Sequence, residues 1–196
     1  AAGQLSWGFH GQALGNMLFR AMPLIMTGLS VAVANKTGLF NIGAPGQYLM
    51  GTAASLFIAL SIPTAVVPAW LIWIMAFLGG MLAGALWGAI PGMLKAFLNI
   101  NEVLACIMTN WIAANLVTWW FDAHEAFKNS AEGGKVGYII PLKNVGVVTP
   151  KMLMNVIFPG SQANGGFWIA IIIAICMWVM MTILLFISSP PGDRST

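Results

Sequence analysis

Two long stretches of the chain contain no charged side chain, and this feature restricts the possible fold more than any other. One stretch separates Lys36 from Lys95, and the other separates Lys151 from Asp193. A helix that crosses a bilayer needs about 20 apolar residues, so the first stretch can hold two such helices and the second can hold one. Charged residues make up only 7% of the chain, which is too few to cover a water-facing surface. The sequence therefore predicts an integral membrane protein.

The apolar pattern predicts an all-α fold, a polytopic transmembrane helix bundle of about five spans with one broken or re-entrant segment. The predicted spans cover residues 14–34, 47–60, 66–90, 102–121 and 167–187. Residues 1–196 are predicted to form a single transmembrane domain, in which the polar residues 122–165 form one long loop. Basic residues in short loops favour the cytoplasmic side. This rule places Lys36, Lys95 and Arg194 inside and the long loop outside, as an extracytoplasmic loop.

The third predicted span carries a series of glycines at intervals of four residues. Residues at this interval lie on one face of a helix, where glycine lets a neighbouring backbone approach closely. One interpretation is ordinary helix packing, and the other is a groove at a subunit or pathway interface. Pro91, next to the last of these glycines, predicts a bend near the end of the span. The glycines are Gly80, Gly84, Gly88 and Gly92.

Residues 40–47, with the sequence FNIGAPGQ, interrupt the apolar pattern between the first two spans. Non-helical backbone at membrane depth is tolerated only where protein or a water-filled cavity surrounds it. Asn41 and Gln47 flank two glycines and Pro45, which suits the first turn of the next helix. The free N–H groups of that helix would then face the break, a site suited to a polar, uncharged or partly anionic solute. The alternative is a plain surface loop with Asn and Gly as turn formers.

The fourth predicted span begins with Asn101 and Glu102 and carries two amides, Asn110 and Asn115, in its body. Asn101 suits the N-cap and Glu102 the first turn of a helix. Alternatively, Glu102 lies in the inner margin of the membrane, either paired or facing a cavity, because ionisable groups there often mark pathways. The two amides are expected to hydrogen-bond a neighbouring helix.

Several function classes have no support in the residues. The sequence offers no nucleophile–base pair, carboxylate dyad or phosphate-binding loop, so we expect no enzyme activity. Cys106 and Cys176 lie in apolar stretches without CxxC or Cys/His spacing, which predicts neither a metal site nor a disulfide, and no cofactor is expected. The net charge of +3 is spread along the chain without a basic run, so nucleic acid is not an expected partner.

Two runs carry a resemblance to a known family. Residues 23–51 read PLIMTGLSVAVANKTGLFNIGAPGQYLMG, and residues 84–113 read GALWGAIPGMLKAFLNINEVLACIMTNWIA. In their order and spacing, the elements TGL, GLFNIGA and GQ in the first run and PG, LKA and NEV in the second resemble the membrane permease subunits of bacterial ABC importers. The nearest branch serves simple sugars and nucleosides and is related to the ribose and branched-chain amino acid permeases.

The resemblance implies a role and a set of partners. The chain would be a permease subunit of an ATP-driven importer, forming the pathway for a small polar solute, either a nucleoside or a simple sugar. It would lie in the plasma (bacterial inner) membrane, cross the lipid bilayer several times, and hydrolyse nothing itself. A second permease subunit would complete the pathway, cytoplasmic ATPase subunits would drive it, and an extracytoplasmic solute-binding protein or lipoprotein would deliver the solute. The positions implied at or near the pathway are Asn41, Gly43, Gln47, Glu102 and Asn110.

The chain departs from the family pattern in three places. Members usually have Glu where Pro45 stands and Thr where Cys106 stands. They also continue beyond the last span, with a cytoplasmic coupling segment and further helices, and have an earlier N-terminal span. We therefore expect this chain to be part of a permease. The alternative is a truncated or scaffold membrane protein without its own transport activity.

Overall fold

The computed structural model describes residues 2–36, 38–124, 154–158, 160–161 and 164–188. All regular secondary structure within those ranges is helical. The six helices are α1 (Ala2–Lys36), α2 (Ala44–Ser61), α3 (Ala69–Leu98), α4 (Glu102–Asp122), α5 (Met154–Ile157) and α6 (Gly166–Ser188). Most of the predicted polar loop, residues 125–153, lies outside the described residues, as do residues 189–196.

Four of these helices contain segments long and apolar enough to cross a membrane: residues 11–36 of α1, α3, α4 and residues 166–183 of α6. α2 is shorter than these four helices, with 18 residues, and directly follows the non-helical segment. The prediction of an all-α polytopic membrane protein with about five spans is therefore confirmed. α5 adds a single helical turn within the region predicted as the long loop.

The helix boundaries differ from the sequence prediction by three residues or more at four ends, one of which is the start of α3 at Ala69 instead of residue 66. α1 begins at Ala2 instead of near residue 14, and it runs through Pro23 without ending. α2 begins at Ala44, three residues early, with Pro45 in its first turn as predicted. α3 continues through Pro91 to Leu98, eight residues beyond the predicted end of the span. A proline lacks one N–H group but does not by itself end a long helix at membrane depth.

The end of α3 is fixed by Asn99 instead. This residue adopts a left-handed conformation with φ of 52°, and its N–H group bonds to the carbonyls of Leu94 and Lys95. Asparagine tolerates this conformation better than most residues with a side chain, and it commonly follows the last turn of a helix. The connection to α4 is therefore short, with three residues between the two helices.

Residues Ala34–Val148 form one compact unit, in which α2, α3 and α4 contact one another. Ile72 of α3 is fully buried and packs with Ala59 of α2 and Ala76. The hydroxyl of Ser55 in α2 donates a hydrogen bond of 2.8 Å to the carbonyl of Ala76 in α3. Small residues and an interhelical hydrogen bond are the contacts expected where lipid provides no hydrophobic drive for association.

The glycine series of α3 lies along α2 for most of its length. A Cβ atom added to Gly80 would collide with the Ser55 side chain and lie 2.9 Å from the carbonyl oxygen of Gly51. At Gly84 it would lie 3.2 Å from the carbonyl oxygen of Gln47. These distances show that the backbones of α2 and α3 come close together because the glycines have no side chain.

The last two glycines of the series differ from each other. A Cβ atom at Gly88 would lie 2.9 Å from Nε2 of Gln47, whereas one at Gly92 would meet nothing within 4 Å. The close approach therefore ends at Gly88, at the first turn of α2. Gly92 lies beyond the start of that helix.

Residues Ala1–Val33 and Thr149–Thr196 form a second compact unit, which contains most of α1 together with α5 and α6. Nε2 of Gln12 in α1 donates a hydrogen bond of 3.0 Å to the carbonyl of Gly160. A Cβ atom at Gly15 would lie 2.6 Å from Cβ of Ser161, which is buried. The segment that precedes α6 is thus packed on the first half of α1.

Candidate functional site

The candidate site is built around the non-helical residues 38–43 between α1 and α2. The carboxyl end of α1 is closed by hydrogen bonds from the N–H of Gly38 to the carbonyl of Asn35, at 3.2 Å, and from the N–H of Leu39 to that of Ala34, at 3.1 Å. Gly38 has φ of 78°, a left-handed conformation that suits glycine at this position after a helix. The chain then continues without helical hydrogen bonds until α2 begins.

Asn41 and Gln47 pair with each other across this segment. Nδ2 of Asn41 donates to Oε1 of Gln47 at 3.3 Å, and Nε2 of Gln47 donates to Oδ1 of Asn41 at 3.2 Å. The reciprocal pair joins the break to the first turn of α2. Two uncharged amides satisfy each other in this way without placing a charge at membrane depth.

Asn110 of α4 holds the other side of the segment. Its Oδ1 accepts a hydrogen bond of 2.9 Å from the N–H of Gly46, and its Nδ2 donates one of 3.0 Å to the carbonyl of Ile42. A backbone polar group left unpaired in an apolar environment costs several kcal/mol. One amide thus satisfies a donor and an acceptor that flank the start of α2.

Gly43 and Gly46 allow these contacts because neither has a side chain. A Cβ atom at Gly46 would lie 2.6 Å from Oδ1 of Asn110, and one at Gly43 would lie 3.1 Å from Sγ of Cys106. Cys106 is itself buried, with 3% of its surface exposed. At Gly43 and Gly46 the chain is therefore packed directly onto α4, with room for little beyond the backbone.

Glu102 lies apart from this group. It is the first residue of α4, and its carboxylate oxygen Oε2 lies 2.9 Å from Nζ of Lys95. Asn101 caps the helix, since its Oδ1 accepts a hydrogen bond of 2.9 Å from the N–H of Val103. Asn110 lies eight residues after Glu102, which corresponds to about 12 Å along the helix axis. The structure thus brings together Asn41, Gly43, Gln47 and Asn110, and it places Glu102 in an ion pair near the α3–α4 turn.

Trp87 of α3 also reaches this region, and sequence reasoning did not identify it. Its Nε1 lies 3.2 Å from the position that a Cβ atom of Gly46 would occupy. Within the part of the chain that the structure describes, this buried N–H group has no hydrogen-bond partner. Its spacing from the glycines was the available signal. Trp87 follows Gly84 by three residues, so the two lie on the same side of α3, the side that approaches α2.

The chemistry available at the site is hydrogen bonding by neutral groups. The polar side chains are amides and one indole N–H, joined by the backbone of the break. Among the described residues, no three His, Cys, Asp or Glu side chains lie close enough together to hold a metal ion. The arrangement suits a polar, uncharged solute that offers several hydrogen-bonding groups.

Residues 13–187 match a protein family, which is described as "Branched-chain amino acid transport system / permease component". A nucleoside ABC transporter permease protein of Lactococcus lactis is 36% identical over 87% of this chain and 46% of its own length. A guanosine ABC transporter permease protein of Bacillus subtilis is 31% identical over 86% of this chain and 45% of its own length.

A glucose ABC transporter permease protein of Haloferax volcanii is also similar, with 29% identity over 86% of this chain and 44% of its own length. The chain therefore spans slightly less than half the length of these curated relatives. No solved structure matches the chain.

Proposed function

The chain belongs to the permease component family of the branched-chain amino acid transport system, and from this membership we propose that it forms part of the solute pathway of an ATP-driven importer. It is a multi-pass protein of the plasma membrane, and its family consists of transport components rather than enzymes. The chain spans less than half the length of its relatives, so the pathway proposed here belongs to the whole permease.

The observation that supports a pathway at this position is the non-helical segment 38–43, which is held by amide side chains on both sides. Irregular backbone at membrane depth lines binding sites in transport proteins, because only protein or water can satisfy its polar groups. Asn41 and Gly43 lie in the break, and Gln47 and Asn110 bond to its residues. We assign the contacts with the solute to these four residues. Glu102 contributes to the α3–α4 turn in this proposal instead of contacting the solute, because it pairs with Lys95.

We assign a nucleoside or a simple sugar as the solute. Two relatives are described as nucleoside and guanosine permeases and one as a glucose permease. Both kinds of solute are neutral at pH 7 and rich in hydroxyl groups, which pair with amides such as those of Asn41 and Gln47. A charged amino acid would need a charged partner, and the amides around the break carry no charge.

The proposal includes three protein partners. A second permease subunit would complete the pathway, cytoplasmic ATPase subunits would supply the energy, and an extracytoplasmic solute-binding protein or lipoprotein would deliver the solute. Lipid would cover the apolar surfaces that remain outside these contacts.

The test is uptake by the full-length permease, expressed with its partner proteins in cells that lack their own nucleoside and glucose importers. We expect uptake of radiolabelled guanosine or glucose that depends on the ATPase subunits. Asn41→Leu removes the amide that pairs with Gln47, so we expect it to reduce uptake at least tenfold while the protein remains in the membrane.

Asn115→Leu provides a matched control for this test. Asn115 is exposed on α4, and its amide donates at 2.9 Å to the carbonyl of Trp111 in the same helix. The same substitution at this position should leave uptake unchanged. Equal uptake by the Asn41→Leu and wild-type proteins would remove the break from the pathway, and ATPase-independent uptake would indicate a channel.

A further inference from the structure

The indole of Trp87 presents a buried hydrogen-bond donor beside the break. Within the described residues, its Nε1 has no acceptor, although the indole N–H usually finds one when it is buried. A buried donor without an acceptor destabilises the conformation that contains it. A hydrogen-bond acceptor that reaches this N–H group in another conformation of the protein would therefore bind favourably.

The surroundings of Trp87 place this donor at the candidate site. Nε1 lies 3.2 Å from the position of a Cβ atom on Gly46, the residue whose N–H is bound by Asn110. Gly88, the next residue of α3, lies against the side chain of Gln47. The indole N–H therefore lies beside the first turn of α2, where Asn110 and the Asn41–Gln47 pair also make their hydrogen bonds.

The neighbouring amides also have partners in this conformation. Asn110 bonds to the backbone of Gly46 and Ile42, and Asn41 and Gln47 bond to each other. Each of these amides therefore has one N–H and one oxygen lone pair engaged in the named bonds. The single N–H of the indole, in contrast, has no partner among the described residues.

We infer that Trp87 is a specificity-determining residue whose indole N–H donates a hydrogen bond to an acceptor oxygen or nitrogen of the transported solute. This inference rests on the proposed function and deepens it. Nε1 is closed to water in this conformation. The solute therefore reaches it when the break moves away from α3 during transport.

A donor used in this way discriminates between solutes. A site built to hydrogen-bond one acceptor rejects an analogue that lacks it, because the donor is then left buried and unpaired. If the residue only maintained the packing of α3, its replacement would instead weaken the binding of every solute to the same degree. The two roles can therefore be separated with a panel of analogues.

The experiment measures competition by nucleoside analogues, each lacking one acceptor, against uptake of radiolabelled guanosine by the full-length assembled transporter. The panel contains the 2′-, 3′- and 5′-deoxy and the 3-deaza and 7-deaza forms. For wild type, we expect one analogue to compete about tenfold more weakly than guanosine, which corresponds to about 1.4 kcal/mol. Trp87→Phe keeps an aromatic ring but lacks the N–H. In this variant the apparent affinity for guanosine should fall about tenfold, and the apparent affinity for that analogue should not fall below its wild-type value.

A second replacement guards against misfolding. Benzothienylalanine at position 87 keeps the size of the indole and replaces N–H with sulfur, so it should reproduce the Trp87→Phe result. Trp111→Phe is the matched control, because Trp111 is 68% exposed on α4, and this variant should behave as wild type.

Three results would overturn the inference. One is that no analogue has an apparent affinity for the wild-type protein more than threefold below that of guanosine. Another is that Trp87→Phe lowers the apparent affinity for guanosine and for every analogue by the same factor. The third is a benzothienylalanine protein that discriminates as wild type does. Absence of both guanosine and glucose uptake by wild type would instead refute the proposed function, and this inference with it.

Discussion

Replacement of Gly80 by alanine tests the close packing that holds α2 against α3. The added Cβ would lie 2.9 Å from the carbonyl oxygen of Gly51, whereas ordinary contacts begin at 3.4 Å. The two backbones must therefore separate by about 0.5 Å, and overpacking of this kind costs about 1–3 kcal/mol. The new methyl group would also displace the hydroxyl of Ser55, whose hydrogen bond to Ala76 contributes about 1 kcal/mol more.

Gly92→Ala is the matched control on the same helix. A Cβ at Gly92 meets nothing within 4 Å, so this variant changes only the intrinsic helix preference, which favours alanine by about 1 kcal/mol in both variants. The difference between the two variants isolates the steric effect. We expect Gly80→Ala to be about 2–4 kcal/mol less stable than Gly92→Ala.

The assay is thermal unfolding of the purified full-length permease in nanodiscs, followed by tryptophan fluorescence. At about 2–4 °C per kcal/mol, the Tm of Gly80→Ala should lie several degrees below that of Gly92→Ala. Equal Tm values for the two variants would refute the close approach of α2 and α3 at Gly80.

Three further predictions concern the break and the α3–α4 turn. Gly46→Ala should abolish uptake and lower the Tm, because its Cβ would lie 2.6 Å from Oδ1 of Asn110; normal uptake would contradict this. Asn110→Leu should lower the Tm by more than Asn115→Leu does, since only Asn110 bonds to the backbone on both sides of the α2 start; equal Tm values would count against this role. Glu102→Gln should leave guanosine uptake at the wild-type level, because Glu102 pairs with Lys95 at a partly exposed turn; a tenfold rise in KM would return Glu102 to the pathway.

The sequence was sufficient to predict the helices whose ends carry clear local signals. α4 spans Glu102–Asp122, within one residue of the prediction, because Asn101 is a good N-cap. The break was predicted because Gly43 and Pro45 interrupt an apolar run. The start of α1 was missed, since residues 2–13 are neither strongly apolar nor strongly helix-breaking and carry no boundary signal.

The contacts between helices were harder to predict, because sequence periodicity gives the face of a residue but not its distance to a neighbour. The interval of four predicted that Gly80, Gly84 and Gly88 share a face. It could not show that the approach to α2 stops before Gly92. The role of Asn110 as a clamp on Gly46 depends on a pairing of residues 64 positions apart, which no local pattern encodes.

The most direct test of the solute pathway is a cryo-electron microscopy structure of the assembled full-length transporter with guanosine bound. Our account predicts solute density within hydrogen-bonding distance of the segment 41–47 and of Asn110. Solute density confined to other helices, with the Asn41–Gln47 pair intact, would contradict it.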